Sequence, residues 1–128
     1  MPKVEYTKAK GLVQSTGSGF SVSDVPVVEH VQTLTTSGAA DISAHGTHII
    51  TSGGNHTITV LNGTYAGQKK LVVVDDVTSG NITLKAEISG NGGAADDTVG
   101  GAAMNAAGEH ALLMWIGDRW VLLSTTIS

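Results

Sequence analysis

The sequence predicts an all-β fold: a small antiparallel β-sandwich or barrel-like domain preceded by an extended N-terminal arm. Two observations lead there. Glycine is abundant at 17 residues while proline numbers only 2, and serine and threonine are frequent, which suits short strands joined by many turns. The periodic runs of Ala, Leu, Glu, Lys and Arg that a long helix needs are missing. At 128 residues the chain is one domain, and about two-thirds of its surface can be buried at that size, enough to fold without disulfides.

Residues 1–24, MPKVEYTKAKGLVQSTGSGFSVSD, stand apart from the rest. Lys3, Lys8 and Lys10 outnumber Glu5 and Asp24, so the segment carries +1 while the whole chain carries −4, leaving −5 on the remainder. Alternation is weak and the STGSG stretch over 15–19 is a flexible linker composition. The segment reads as an arm with too little apolar surface to offset the ~1–2 kcal/mol of backbone entropy lost per ordered residue. Val4, Tyr6, Leu12, Val13 and Phe20 are its candidate anchors on a partner.

The β-domain, residues 25–128, is a series of short strands between turn signals. VVEHVQTLT (27–35) is the first, ended by Ser37-Gly38, and THIIT (47–51) is the second, ended by Ser52-Gly53-Gly54-Asn55. HTITVL (56–61) runs into Asn62-Gly63, the strongest short hairpin signal because both residues tolerate positive φ. QKKLVVV (68–74) comes next, with Lys69-Lys70 and Asp75-Asp76 flanking an apolar strand as charged gatekeepers. After Thr78-Ser79-Gly80, NITLKAEI (81–88) alternates: Ile82, Leu84, Ala86 and Ile88 face a core, Thr83, Lys85 and Glu87 face water. Residues 89–108 have no strand period, and a loop of that length is expected to contact a neighbour.

The closing hairpin spans 109–116 and 119–126 around Gly117-Asp118, a pair suited to a two-residue II′ turn. That register sets Ile116 opposite Arg119 and Trp115 opposite Trp120 in the closer, non-hydrogen-bonded pair. Leu113 and Leu122 share the Trp face; Leu112, Met114, Val121 and Leu123 share the other. A hairpin apolar on both faces is either the central pair of a sandwich or a pair with one face in the core and one in a subunit interface.

Composition removes several classes of function. With no cysteine, disulfide scaffolds, thiol catalysis and Cys-ligated zinc are excluded. The net charge of −4 gives no basic field for nucleic acid. No apolar run approaches membrane-spanning length, and residues 1–10 lack the apolar core of a signal peptide, so no membrane partner and synthesis in the cytoplasm are expected. The histidines offer His45 and His48 in HGTH, with His56 and His110 elsewhere, but no third ligand at a characteristic spacing; a metal shared on a symmetry axis is the open alternative. Asp75-Asp76 and Asp96-Asp97 lack the spacing of a calcium loop and read as solvated acids. No G-x-S-x-G elbow or phosphate loop occurs. No catalytic residue, cofactor or metal site is expected.

Two stretches, HTITVLNGTYAGQKKLVVVDD (56–76) and ALLMWIGDRWVLLST (111–125), resemble a β-rich module of small tailed-bacteriophage structural proteins. In that module a G-x-Y-x-G-Q-x-K segment leads to an apolar strand, a Thr-Ser-Gly turn, another strand and a closing W-x-G-x-x-W hairpin. Gly63, Tyr65, Gly67, Gln68 and Lys70, then Thr78, Ser79 and Gly80, then Trp115, Gly117 and Trp120 occupy those positions. The resemblance covers about half the chain. The format of an arm plus one module resembles capsid decoration, or cement, proteins, which implies a homo-oligomer, often a trimer, on the outer capsid surface in contact with the major capsid protein. A tail- or fibre-associated protein that binds host glycan, with Trp115 and Trp120 as a stacking platform, is the alternative. A homo-oligomeric module with a His-bound metal is the third.

Overall fold

The computed structural model of the chain describes residues 4–7, 11–14, 30–51, 53–90 and 95–127. The strands among these described residues are β1 (Val4–Thr7), β2 (Gly11–Gln14), β3 (Val31–Leu34), β4 (Gly38–Ala40), β5 (Gly46–Thr51), β6 (His56–Val60), β7 (Lys69–Val77), β8 (Ile82–Ala86), β9 (Asp97–Thr98), β10 (His110–Trp115) and β11 (Trp120–Thr125). The all-β expectation holds at this level. The expected antiparallel sheet does not, because both larger sheets are mixed, in the orders β11-β10-β7-β5-β3 and β4-β6-β8-β9. Neither closes into a barrel.

From β3 to β8 successive strands alternate between the two sheets. β3, β5 and β7 run parallel in one, and β4, β6 and β8 run parallel in the other. The chain is thus wound as a three-turn coil, one strand per sheet in each turn. One buried cluster joins both sheets, with Ile49, Val72, Val74, Ala111 and Leu113 from the first and Ala40, Ile58, Val60, Ile82, Leu84 and Ala86 from the second. β-Branched side chains suit this interior, since no strand contributes more than three positions to it.

The corners of successive turns stack and supply one another's hydrogen bonds. On one side Ser37 Oγ accepts the Thr57 amide (3.0 Å), and Asn55 Oδ1 accepts the Asn81 amide (3.0 Å). Gly80, at φ +86°, lies against the backbone of Gly54 where a Cβ would have no space. On the other side the Gln68 amide group donates to the Ile42 carbonyl (2.6 Å), and its Oε1 accepts the Thr64 amide (2.7 Å). These polar side chains take the place of the ladder that a corner lacks.

The Asn62-Gly63 hairpin expectation is overturned. β6 does not pair with β7, and residues 61–68 carry the chain from one sheet to the other. Gly63 has a different use: a Cβ there would collide with the Trp115 side chain. Lys70 and Glu87, expected on the surface, are fully buried. Asp75 and Asp76 lie within β7 rather than beyond it. Residues 89–108 are not simply a loop, since they include β9, a short 3₁₀ turn at Val99–Gly101 and a bridge between Met104 and Ile82. Val99 and Met104 are core residues, so part of this segment covers the open end of the second sheet.

β1 and β2 form an antiparallel pair in a sheet of their own, with Tyr6 opposite Leu12 and Glu5 opposite Val13. The weak alternation of residues 1–24 predicts no strand pair there, and this pair corrects that expectation; Phe20 lies outside the described residues. The C-terminal hairpin matches its expected register, with Trp115 opposite Trp120, the Ile116 amide donating to the Arg119 carbonyl (3.0 Å) and Gly117 at φ +115°. It departs at a bulge: Leu113 faces Leu122 but Leu112 faces Ser124, which leaves Leu123 as the extra residue.

Gly63→Ala is expected to destabilise the protein by about 1–3 kcal/mol, because the added methyl must displace a packed indole. Urea denaturation measures it; an unchanged midpoint would show that Trp115 yields freely.

Candidate functional site: the outer face of the five-stranded sheet

Because cross-strand partners share a face, the register of this sheet arranges its outward residues in three rows. Val31, Gly46, Leu71 and Leu112 make one. Thr33, His48, Val73 and His110 make the second, and Lys69, Met114 and Val121 the third. Gly46, bare of a side chain, lets Val31 lean over it, with a Val31 methyl at 3.4 Å from where a Cβ would stand. Leu71, Val73, Leu112, Met114 and Val121 are half-buried on this face. Val31 and Leu123 are each 46% exposed.

The result is an apolar surface in the middle of the sheet, with Lys69, His48, His110 and Thr33 around it. Leucine, valine and methionine side chains remain partly accessible to solvent here. Contiguous apolar patches with polar rims are the signature of interaction surfaces.

The structure separates the hairpin residues singled out in the sequence. Trp115 and Trp120 belong to the interior, 5% and 0% exposed, with ring centroids 5.5 Å apart in an edge-to-face arrangement. The Trp120 Nε1 donates to the Leu61 carbonyl (3.0 Å). Buried indoles offer no stacking platform for a sugar. Leu112, Met114, Val121 and Leu123 form part of the outer surface. Val31, Leu71 and Val73 join them and were missed; the signal available was the unbroken apolar phase in LVVV, where both strand faces are apolar. Of the residues expected to anchor an arm, Val4, Tyr6, Leu12 and Val13 lie on β1 and β2.

The histidines do not converge. Among the described residues no group of three metal-ligating side chains includes one. His48 is exposed on the outer face, while His56 Nε2 lies 3.1 Å from the Gly53 carbonyl and His110 Nδ1 3.4 Å from that of Gly108. No pocket is present among the described residues.

Beneath the outer face lies a buried cation. Lys70 points inward from β7 and its Nζ donates to the carbonyls of Asp41 and Ala44, both at 2.8 Å. It ties the corner between β4 and β5 to the next turn. Burial pushes the ammonium down to about 8, partly opposed by the nearby Asp41 carboxylate. Asp41 itself is held below the usual carboxylate range by the Ser43 hydroxyl and amide that it accepts.

Neither protein-family models nor curated proteins match the chain.

The Lys70 environment predicts a pH dependence. The folded state holds the Nζ proton less tightly than the unfolded chain, whose lysine titrates near 10.5. Between about 8 and 10.5 the unfolded state binds more protons, so stability should rise with pH, by at most about 3 kcal/mol. Melting curves of the wild type and Lys70→Met across pH 7–10.5 check this. The wild-type curve should rise relative to the variant; parallel curves would show that Lys70 stays protonated as readily folded as unfolded.

Proposed function

We propose that this protein decorates and stabilises the outer surface of a bacteriophage capsid as a homo-oligomer, a trimer. The outer face of the five-stranded sheet serves as the subunit contact, and residues 1–24 act as an extended arm engaging the major capsid protein. The observation that carries the reading is the apolar outer face, in which Leu71, Val73, Leu112, Met114 and Val121 sit in register across three strands. Such a surface is stable in water when another copy covers it.

Further support comes from the motif positions. Gly63 makes room for Trp115, and the Gly67 amide donates to the Trp115 carbonyl (2.7 Å). Gln68 and Lys70 brace the corners. Gly63, Gly67, Gln68 and Lys70 thus serve the framework, which suits a protein working through many weak contacts multiplied over copies. An arm of +1 on a body of −5 would also orient each subunit on a charged shell. The glycan-binding alternative requires exposed indoles, and Trp115 and Trp120 are buried.

Sedimentation equilibrium at micromolar concentration should give a trimer, and Leu71→Glu or Val121→Glu should shift it to monomer with an unchanged far-UV spectrum. A stable wild-type monomer would remove the argument. Deleting residues 1–23 should sharply weaken co-sedimentation with undecorated capsids, whereas undiminished attachment would place the capsid contact elsewhere.

A further inference from the structure

Three carboxylates meet where β8 ends. Glu87, Asp96 and Asp97 each bring one oxygen to within 4.8 Å of the other two. Asp97 is positioned by the sheet, since it opens β9 and pairs with Ala86. Its Oδ2 accepts the amides of Ile88 (2.9 Å) and Ser89 (2.8 Å), and those bonds hold its carboxyl below the usual range. Asp96, beside it, is exposed.

Glu87 is the unusual member. The strand's alternation sends it towards water, yet it is fully buried. One oxygen is satisfied, with Oε1 accepting the Ser89 hydroxyl (3.0 Å) and the Gly90 amide (2.8 Å). The other, Oε2, is buried with no hydrogen-bond partner. A carboxylate oxygen withdrawn from water and given no donor is among the costliest groups a fold can hold. The neighbouring cations do not relieve it: Lys85 Nζ donates to the Asp96 carbonyl (2.8 Å) and Thr98 Oγ1 (2.9 Å), and Arg119 pairs with Asp118 (3.2 Å).

We propose that Glu87, Asp96 and Asp97 bind a Ca²⁺ ion, which supplies the positive partner that Glu87 Oε2 lacks. The donor set is all carboxylate oxygen, the choice of a hard cation rather than of zinc or copper. Three protein carboxylates favour calcium, which takes about 6–8 oxygen ligands in a flexible geometry, over Mg²⁺, which keeps several waters and is bound through one or two carboxylates. The exposed side, at Asp96, leaves room for water to complete the coordination. The ion would clamp the segment leading into β9 onto the end of β8. It would also act on the closing hairpin, because the Trp120 amide donates to the Glu87 carbonyl (2.8 Å). The ion site is independent of where the protein is displayed.

Tb³⁺ reports on the site directly, since Trp120 adjoins Glu87 and can sensitise its luminescence. With the full-length protein, Tb³⁺ should give tryptophan-sensitised emission that Ca²⁺ displaces and equal Mg²⁺ does not, and Ca²⁺ should raise the melting temperature. Asp96→Asn alters an exposed side chain and should keep the fold while weakening Ca²⁺ binding at least tenfold. Glu87→Gln should abolish the calcium-dependent rise in melting temperature without lowering the calcium-free value. Absence of Ca²⁺ binding at millimolar concentration, equal displacement by Mg²⁺, or undiminished binding by both variants would overturn the assignment.

Discussion

The rest of this structure depends on how the last turn of the coil is closed, and that closure is made by one side chain. Trp120 is fully buried, meets Trp115 edge to face and donates its only polar hydrogen to the Leu61 carbonyl. A stack of parallel strands ends in an exposed, apolar layer, and something must cover it. Here β10 does so by pairing antiparallel to β7, and β11 follows by pairing antiparallel to β10. The indoles fill the space between hairpin and corner that smaller side chains would leave empty. With only two Trp, two Tyr and one Phe in the chain, no other tryptophan is present to take that place. Gly63 is the necessary complement, a residue without a side chain where the Trp115 ring passes.

The polar interior arises from the same winding. Each crossing between sheets makes a corner whose backbone groups have no ladder partner, and side chains from a neighbouring turn reach across to them. Lys70 serves Asp41 and Ala44, Gln68 serves Ile42, and Asn55 serves Asn81. A low content of charged residues, 14%, is compatible with this because these contacts are local and geometric. The outer face of the five-stranded sheet carries alternate apolar residues that the shared core does not use, and the proposed assembly covers them with a second copy.

Local features were legible in the sequence, and long-range pairing was not. The alternation of Ile82, Leu84 and Ala86 placed β8 correctly, and Gly117-Asp118 set the Trp115–Trp120 register, because both depend on neighbours a few residues away. Asn62-Gly63 misled for the opposite reason: the dipeptide permits a tight turn, but β6 pairs in parallel with β4 and β8 rather than with β7, and nothing in the dipeptide reports that. Charge places Lys70 on the surface and strand alternation places Glu87 there, whereas carbonyls of Asp41 and Ala44 hold the first inside and the Ser89 hydroxyl and Gly90 amide hold the second. Half of the outer face was visible in Leu112, Met114, Val121 and Leu123. Val31, Leu71 and Val73 joined it only once the order of strands was known. In residues 89–108 the absence of a strand period concealed Val99 and Met104, which reach the core from a turn and a single bridge.

The central claim is that hairpin and coil form one cooperative unit through the Trp120 closure, and native-state hydrogen exchange tests it most directly. The amides of Trp115, which donates to Gln68, and of Trp120, which donates to Glu87, should exchange only with global unfolding, at the same free energy and denaturant dependence as the amides of β5, β7 and β8. Exchange of the hairpin amides through a much less costly local opening, with the coil still protected, would contradict the account.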